Sequence, residues 1–199
     1  MRKWIGMSCV LLGVVCLLGA AAFLVYNRWE DNHAAEISQA LLADAQSIIE
    51  EEKPRQSLPV NPEKLPAEMA SVKVGGYDCI GILSVPALDL ELPVMTDWSY
   101  AKLKKAPCHY YGAYYEKDFV IAAHNYKTHF GRLSQLQAGD LVIFTDVHGV
   151  DHYYEVALLE TLPKEATVEM ITSGFGLSLY TCTPGGASRV TVRCNAIDQ

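Results

Sequence analysis

Leu177-Ser178-Leu179-Tyr180-Thr181-Cys182-Thr183-Pro184-Gly185-Gly186-Ala187-Ser188-Arg189-Val190-Thr191-Val192-Arg193-Cys194, close to the C-terminus, reads as a strand, a turn and a second strand. Gly185-Gly186 is a two-residue hairpin signal. A turn centred there sets Thr181 opposite Val190, Leu179 opposite Val192 and Leu177 opposite Cys194, which makes one apolar face. On the other face Cys182 falls opposite Arg189, Tyr180 opposite Thr191, and Ser178 opposite Arg193. Directly opposed residues have Cβ atoms roughly 5 Å apart. Alternation alone therefore sets a thiol beside a permanently charged guanidinium. A fixed positive charge favours thiolate, the nucleophilic form, and can also stabilise an oxyanion on a substrate carbonyl. An ordinary hairpin with a small Cys and a solvated Arg would show the same pattern, so the pair by itself names no chemistry.

A third residue narrows the reading. Phe119-Val120-Ile121-Ala122-Ala123 is an apolar, strand-like run that ends at His124-Asn125. A His at the end of a buried strand can emerge beside a reactive residue of another strand, and imidazole is suited to proton transfer near neutral pH. A second His, His129, follows in a polar loop and is the weaker candidate.

A strand ending in Ala123-His124-Asn125, then Leu179-Tyr180-Thr181-Cys182, then Arg189 on the next strand, resembles the sortase family. The hallmark of that family is a Thr-Leu-x-Thr-Cys strand followed by a strand bearing Arg; in this chain Ser178 stands at the first Thr. The resemblance runs from roughly Tyr77 to Ala196, the length of one domain. It implies a mainly all-β fold, a closed or nearly closed barrel of about eight strands with short helices. It also implies an exported domain and a peptide substrate, a C-terminal sorting signal resembling Leu-Pro-x-Thr-Gly on a secreted protein. By resemblance Cys182 is the nucleophile, Arg189 stabilises the oxyanion and His124 is the acid and base. The acceptor is then an amine of a cell-wall precursor or a pilin. Asn125, Tyr180 and Thr181 are candidates for lining the substrate site, although the register turns Thr181 toward the apolar face, where its role is structural. No cofactor is expected. Some sortases use Ca²⁺, and Glu116 and Asp118 are two acids on one loop, but two such acids are usually just solvated. The connection Thr161 to Gly176 corresponds to a wall of the peptide groove, and it is short for the helical insertion of class B enzymes.

The N-terminus agrees with an exported domain. Met1-Arg2-Lys3-Trp4 is basic, and an apolar run extends from about Ile5 to Tyr26 before Asn27-Arg28. About 20 such residues suffice to span a bilayer as a helix. The basic head favours a cytoplasmic N-terminus and an extracellular catalytic domain, a single pass through the cell membrane. A cleaved signal peptide is the competing reading, but the run is long for one and Ala20-Ala21-Ala22 is followed by more apolar residues.

Between anchor and domain, Ala34, Ile37, Ala40, Leu41, Ala45, Ile48 and Ile49 recur at helical spacing, which predicts a surface helix lying on the barrel or the membrane. Pro54, Pro59, Pro62 and Pro66 then mark a semi-extended linker. The expected organisation is a tip and transmembrane anchor over 1–28, a helical stalk and Pro-rich linker over 29–72, and a catalytic domain over 73–199. Within the last, Cys79–Val85, Leu88–Met95, Phe119–His124, Leu141–Thr145 and His152–Leu159 are further strands, with Asp97–Lys105 a short helix or irregular connection.

The formal charge of −7 argues against a nucleic-acid partner. Cys79, Cys108 and Cys194 accompany Cys182 outside the apolar run, an odd structural set for which spacing selects no disulfide and buried thiols are the default. His and Cys lack paired metal-ligand spacing. Two other classes fit the same residues: a hydrolytic cysteine peptidase, and a non-enzymatic membrane-anchored binding barrel with Cys182 inert.

Overall fold

The computed structural model describes residues 2–52 and 69–197. Pro54, Pro59, Pro62 and Pro66, and with them the predicted linker, lie outside the described residues. The chain divides into two compact units, Met1–His33 and Ala34–Gln199.

Helix α1 (Arg2–Glu52) is unbroken. Its N-terminal part is an exposed apolar helix: an 18-residue window has a mean hydropathy of 2.3 and none of it is buried, so it is long and apolar enough to cross a membrane.

The second unit is a closed barrel. Its strands are β1 (Val72–Val74), β2 (Tyr77–Val85), β3 (Leu90–Met95), β4 (Cys108–Tyr111), β5 (Phe119–Ala122), β6 (Leu141–Asp146), β7 (Asp151–Pro163), β8 (Leu177–Cys182) and β9 (Ser188–Ala196). Eight of them close in the order β2-β3-β4-β5-β8-β9-β7-β6, with β6 returning to β2, and β1 adds to β2 outside the ring. The closing seam is tight: a Cβ on Gly81 would run into the Thr145 carbonyl oxygen, and Gly81 has φ +156. Closure leaves no unpaired barrel edge. Inward residues fill the interior, among them Leu83, Leu92, Phe119, Ile121, Phe144, Leu177, Leu179 and Val192. Two single-turn helices interrupt the strands, α2 (Tyr100–Leu103), capped by the Ser99 side chain, and α3 (Thr167–Ile171).

A second apolar cluster sits on the outside of the barrel. Leu41, Leu42, Ala45 and Ile49 of α1 pack there with Val74, Cys79, Ile82, Met95, Ala106 and Cys108. The helical spacing of those residues thus serves burial on the sheet. Cys79 and Cys108 both stand opposite Met95, on either side of it. Two strand spacings separate them by roughly 9–10 Å, beyond the reach of a disulfide. Both are free, as is Cys194 in the core.

Candidate active site

The hairpin β8–β9 has the register that alternation predicts: Cys182 pairs with Arg189, Tyr180 with Thr191, Ser178 with Arg193 and Thr181 with Val190. The turn differs. Thr183 N–H donates to Ser188 O at 3.0 Å and Gly186 N–H to Thr183 O at 2.8 Å. That leaves Pro184–Ala187 as a four-residue loop rather than a two-residue one. Pro184 and Gly185 take the central places that a type II turn favours, with Gly185 at φ +81 and Gly186 at φ +74. Both loops give the same register, so Cys182 still faces Arg189.

Strand β5 lies parallel to β8 with Ala122 beside Tyr180. The pairing continues one residue further, as Ala123 N–H donates to Tyr180 O at 3.2 Å. His124 follows directly, two residues beyond the last β5–β8 pair, on the side where Cys182 ends β8. A buried bond fixes this junction: the Thr181 hydroxyl donates to the Ala123 carbonyl at 2.8 Å. Thr181 is 3% exposed, so the residue next to Cys182 ties the two strand ends together. The His124 ring stacks on Tyr126 with centroids 4.0 Å apart and planes 15° from parallel. The segment beyond it folds back, with Phe130 N–H donating to His124 O and Gly131 N–H to Tyr126 O. Asn125 lies half-buried in that segment. His129 is fully buried against Tyr126.

Cys182 is exposed, whereas Cys79, Cys108 and Cys194 are buried. Burial pushes their thiols up, Cys79 to about 11 with help from Asp78, Cys108 to about 12 and Cys194 to about 12. Of the described thiols in the barrel unit, Cys182 alone meets solvent. Arg189 is half-buried, and its Nη1 donates to Gly186 O and Ser188 O, each at 3.1 Å. Those two bonds hold the guanidinium over the turn and use two of its five N–H donors.

Cys182 and Arg189 open on a cleft of about 150 Å³. One wall is aromatic: Tyr180 meets Tyr110 edge-on at 5.3 Å, and Tyr110 meets Trp98 at 5.8 Å. Burial, then Tyr110, pushes the Tyr180 hydroxyl well above its usual range, so it stays protonated. The other wall is the β7–β8 connection, with Pro163, Ala166, Thr167 and Met170. His124 does not line this cleft, whereas Ala122 and Ala123 immediately before it do. Trp98 and Tyr110 were not singled out by the sequence. Their only signal is the aromatic density of Trp98-Ser99-Tyr100 and Tyr110-Tyr111.

Among the described residues no group of three or more His, Cys, Asp or Glu side chains is placed to hold a metal ion. Asp118, at φ +62, uses its carboxylate to receive the Ser173 hydroxyl at 2.8 Å and the Gly174 N–H at 2.7 Å. It straps the β4–β5 loop to the segment after α3.

Comparison with known proteins bears on the family and the fold. The family model described as the Sortase domain matches residues 83–197, more than half of the chain. Solved structures with the same fold include sortase C1 of Streptococcus suis, with 24% identity, TM-score 0.52, and coverage of 61% of this chain and 74% of that one. A sortase D5 transpeptidase of Clostridium perfringens has 18% identity and TM-score 0.60, covering 82% of this chain and 99% of that one. Sortase A of Corynebacterium diphtheriae has 18% identity and TM-score 0.56, covering 91% and 96%. No curated protein matches in sequence. The barrel topology, the thiol–guanidinium pair at its cleft and the match over residues 83–197 make this chain a member of the sortase family.

Proposed function

We propose that this chain is a membrane-anchored cysteine transpeptidase that cleaves an LPxTG-like sorting signal and joins the acyl part to an amine of the cell wall or a pilin. The observation that carries the reading is the register pair Cys182–Arg189 at an open cleft, with His124 just beyond the end of the neighbouring strand β5.

The Cys182 Sγ, as thiolate, attacks the scissile carbonyl carbon, and negative charge develops on the carbonyl oxygen. Arg189 lies on the adjacent strand with three guanidinium donors beyond those held by the turn. His124, as imidazolium, gives its proton to the leaving amine as the C–N bond breaks, and a thioester remains. An incoming amine then attacks the thioester, His124 takes a proton from it, and Cys182 leaves as thiolate. One amide is broken and one is made, so no redox partner is required. The single-turn α3 in the β7–β8 connection speaks against a class B enzyme.

The test mixes the full chain in detergent micelles with a pool of sorting-signal peptides and a glycine-type amine, and reads product masses with Cys182→Ala as control. A peptide–amine adduct that requires Cys182 supports transpeptidation and reveals the motif. Cleavage with water alone as acceptor points to a hydrolytic peptidase. No product, together with a Cys182 inert to thiol reagents, overturns the reading in favour of a binding barrel.

A further inference from the structure

Strand β9 carries two arginines on the same outer face of the barrel, Arg189 and Arg193, and the mechanism uses only the first. Arg193 is 2% exposed, although its strand partner Ser178 also points outward from the core. What covers them is α3. Four of the five N–H donors of the Arg193 guanidinium are engaged: Nε donates to Glu160 Oε1 at 2.7 Å, Nη1 to Ser178 Oγ at 2.8 Å and Met170 O at 3.2 Å, and Nη2 to Glu169 O at 2.8 Å. Its Nη1 also lies 4.0 Å from the Met170 sulfur.

Burying a guanidinium is costly unless its donors are met and its charge is paired. Here the acceptors come from three sources: the β7 carboxylate, the β8 hydroxyl and two carbonyls in the last turn of α3. Carbonyls in a last turn have no partner within their own helix. Helix α3 is a single turn, and beside this guanidinium it is held by the burial of Met170 and by the Asp118 strap on the segment after it. Met170, 4% exposed, sits between this guanidinium and the cleft shared with Cys182 and Arg189.

We infer that Arg193 is a positioning residue that clamps α3 to the barrel and so fixes the cleft wall formed by Ala166, Thr167 and Met170. It acts on the peptide through that wall and not on the reacting atoms. Its effect on substrate rests on the transpeptidase reading above; the clamp itself does not. Lysine cannot replace it, because a point charge lacks the planar fork that reaches Glu160, Ser178 and both carbonyls at once.

The test compares the full chain in detergent with Arg193→Lys and with Glu160→Gln, a gentler change at a side chain 36% exposed. Three readouts are taken: amide hydrogen exchange, steady-state kinetics with the preferred sorting peptide, and Cys182 alkylation by iodoacetamide. Loss of a charge-assisted bond corresponds to about a tenfold change or more in a local equilibrium. Exchange across 164–175 should therefore accelerate about tenfold in Arg193→Lys, and less in Glu160→Gln. The inner amides of β8 and β9 should exchange as in the parent. KM should rise about tenfold, with kcat within about twofold and the alkylation rate unchanged. Unchanged exchange over 164–175 in both variants overturns the clamp. A fall in kcat at constant KM, or parent-like KM with accelerated exchange, overturns the role in substrate positioning. Should Arg193→Lys loosen the whole barrel, Glu160→Gln decides. If the parent turns over no peptide, the transpeptidase reading fails, and exchange alone judges the clamp.

Discussion

Thr181→Val tests whether the junction between the nucleophile strand and the His124 strand is held by one hydrogen bond. The hydroxyl donates to Ala123 O at 2.8 Å in a site that is 3% exposed, one residue from Cys182 and one from His124. Valine keeps the branched shape but removes the donor, leaving a carbonyl short of a buried partner. Such a loss costs about 1–3 kcal/mol. For a domain of this size each kcal/mol moves the melting midpoint by about 2–4 °C, so the midpoint should fall by roughly 2–12 °C. The kinetic effect should be larger in proportion. The bond sets the offset between β5 and β8, and a displacement of about 1 Å at a reacting pair can cost about a hundredfold in rate. We expect single-turnover thioester formation to slow by about ten- to a hundredfold. Thr181→Ser retains the donor and should recover most of both losses. Thermal unfolding by circular dichroism and rapid-quench mass spectrometry of the thioester provide the measurements. A Val variant that melts and acylates like the parent would refute the reasoning. So would a Ser variant that behaves like Val, since the methyl group and not the hydroxyl would then matter.

Arg189→Met should lower kcat by about a hundred- to a thousandfold, the usual effect of losing an oxyanion donor, and a near-normal rate would end the oxyanion assignment. Leu41→Ala, at a site 5% exposed in the cluster with Val74, Ile82 and Cys108, should cost about 2–5 kcal/mol. Because α1 covers Cys79 and Cys108, the same variant should make both thiols accessible to a disulfide reagent under native conditions, and continued protection would show that the sheet shields them without the helix. Asp146, 4% exposed, is pulled two ways. Burial raises its carboxyl, but the hydrogen bond from His152 and the N–H groups of Val150 and His148 outweigh it and hold it below its usual value. Its folded form therefore binds a proton less readily than the unfolded chain, so its contribution is full above roughly pH 4 and is lost as pH falls through the folded value. Asp146→Asn should lower the midpoint at pH 7 and flatten the acid limb of stability against pH; a parent-like acid limb would exclude Asp146 as a source of that sensitivity.

Much of the site was legible because strand alternation has a period of two and tolerates no ambiguity over six residues. Leu177, Leu179 and Thr181 against Ser178, Tyr180 and Cys182 leave one register that buries the apolar set, and the hairpin has it. The turn was less legible, since a two-residue and a four-residue loop centred on Gly185-Gly186 give the same pairs. Strand β4 escaped notice. Cys108-His109-Tyr110-Tyr111 has no clean alternation, and it meets β3 through a single pair, Met95 with Cys108. The aromatic wall was illegible for a different reason. Trp98 precedes α2, Tyr110 is on β4 and Tyr180 is on β8, so only barrel closure brings them together. In α1 the spacing of Ala34, Leu41, Ala45 and Ile49 announced a buried face, but periodicity does not name the surface that buries it.

The two arginines of β9 show how the same local pattern acquires opposite uses. Arg189 and Arg193 occupy equivalent outward places, and each stands across from a small polar residue of β8, Cys182 and Ser178. Sequence alternation treats the two pairs alike. The difference comes from α3, which covers one end of this face and leaves the other open. Under it, Arg193 and Ser178 are enclosed and their polar atoms are consumed by one another, by Glu160 and by the helix carbonyls. Beyond it, Cys182 remains exposed and, among the described residues, Arg189 is held at Nη1 by two carbonyls of its own turn. A buried guanidinium with four of its five donors engaged can hold a wall but is closed off from a substrate oxygen. One with donors in hand, next to the solvent-facing thiol, can do so. Exchanging their surroundings should therefore exchange their roles, and this is why losing Arg193 should appear in KM and losing Arg189 in kcat.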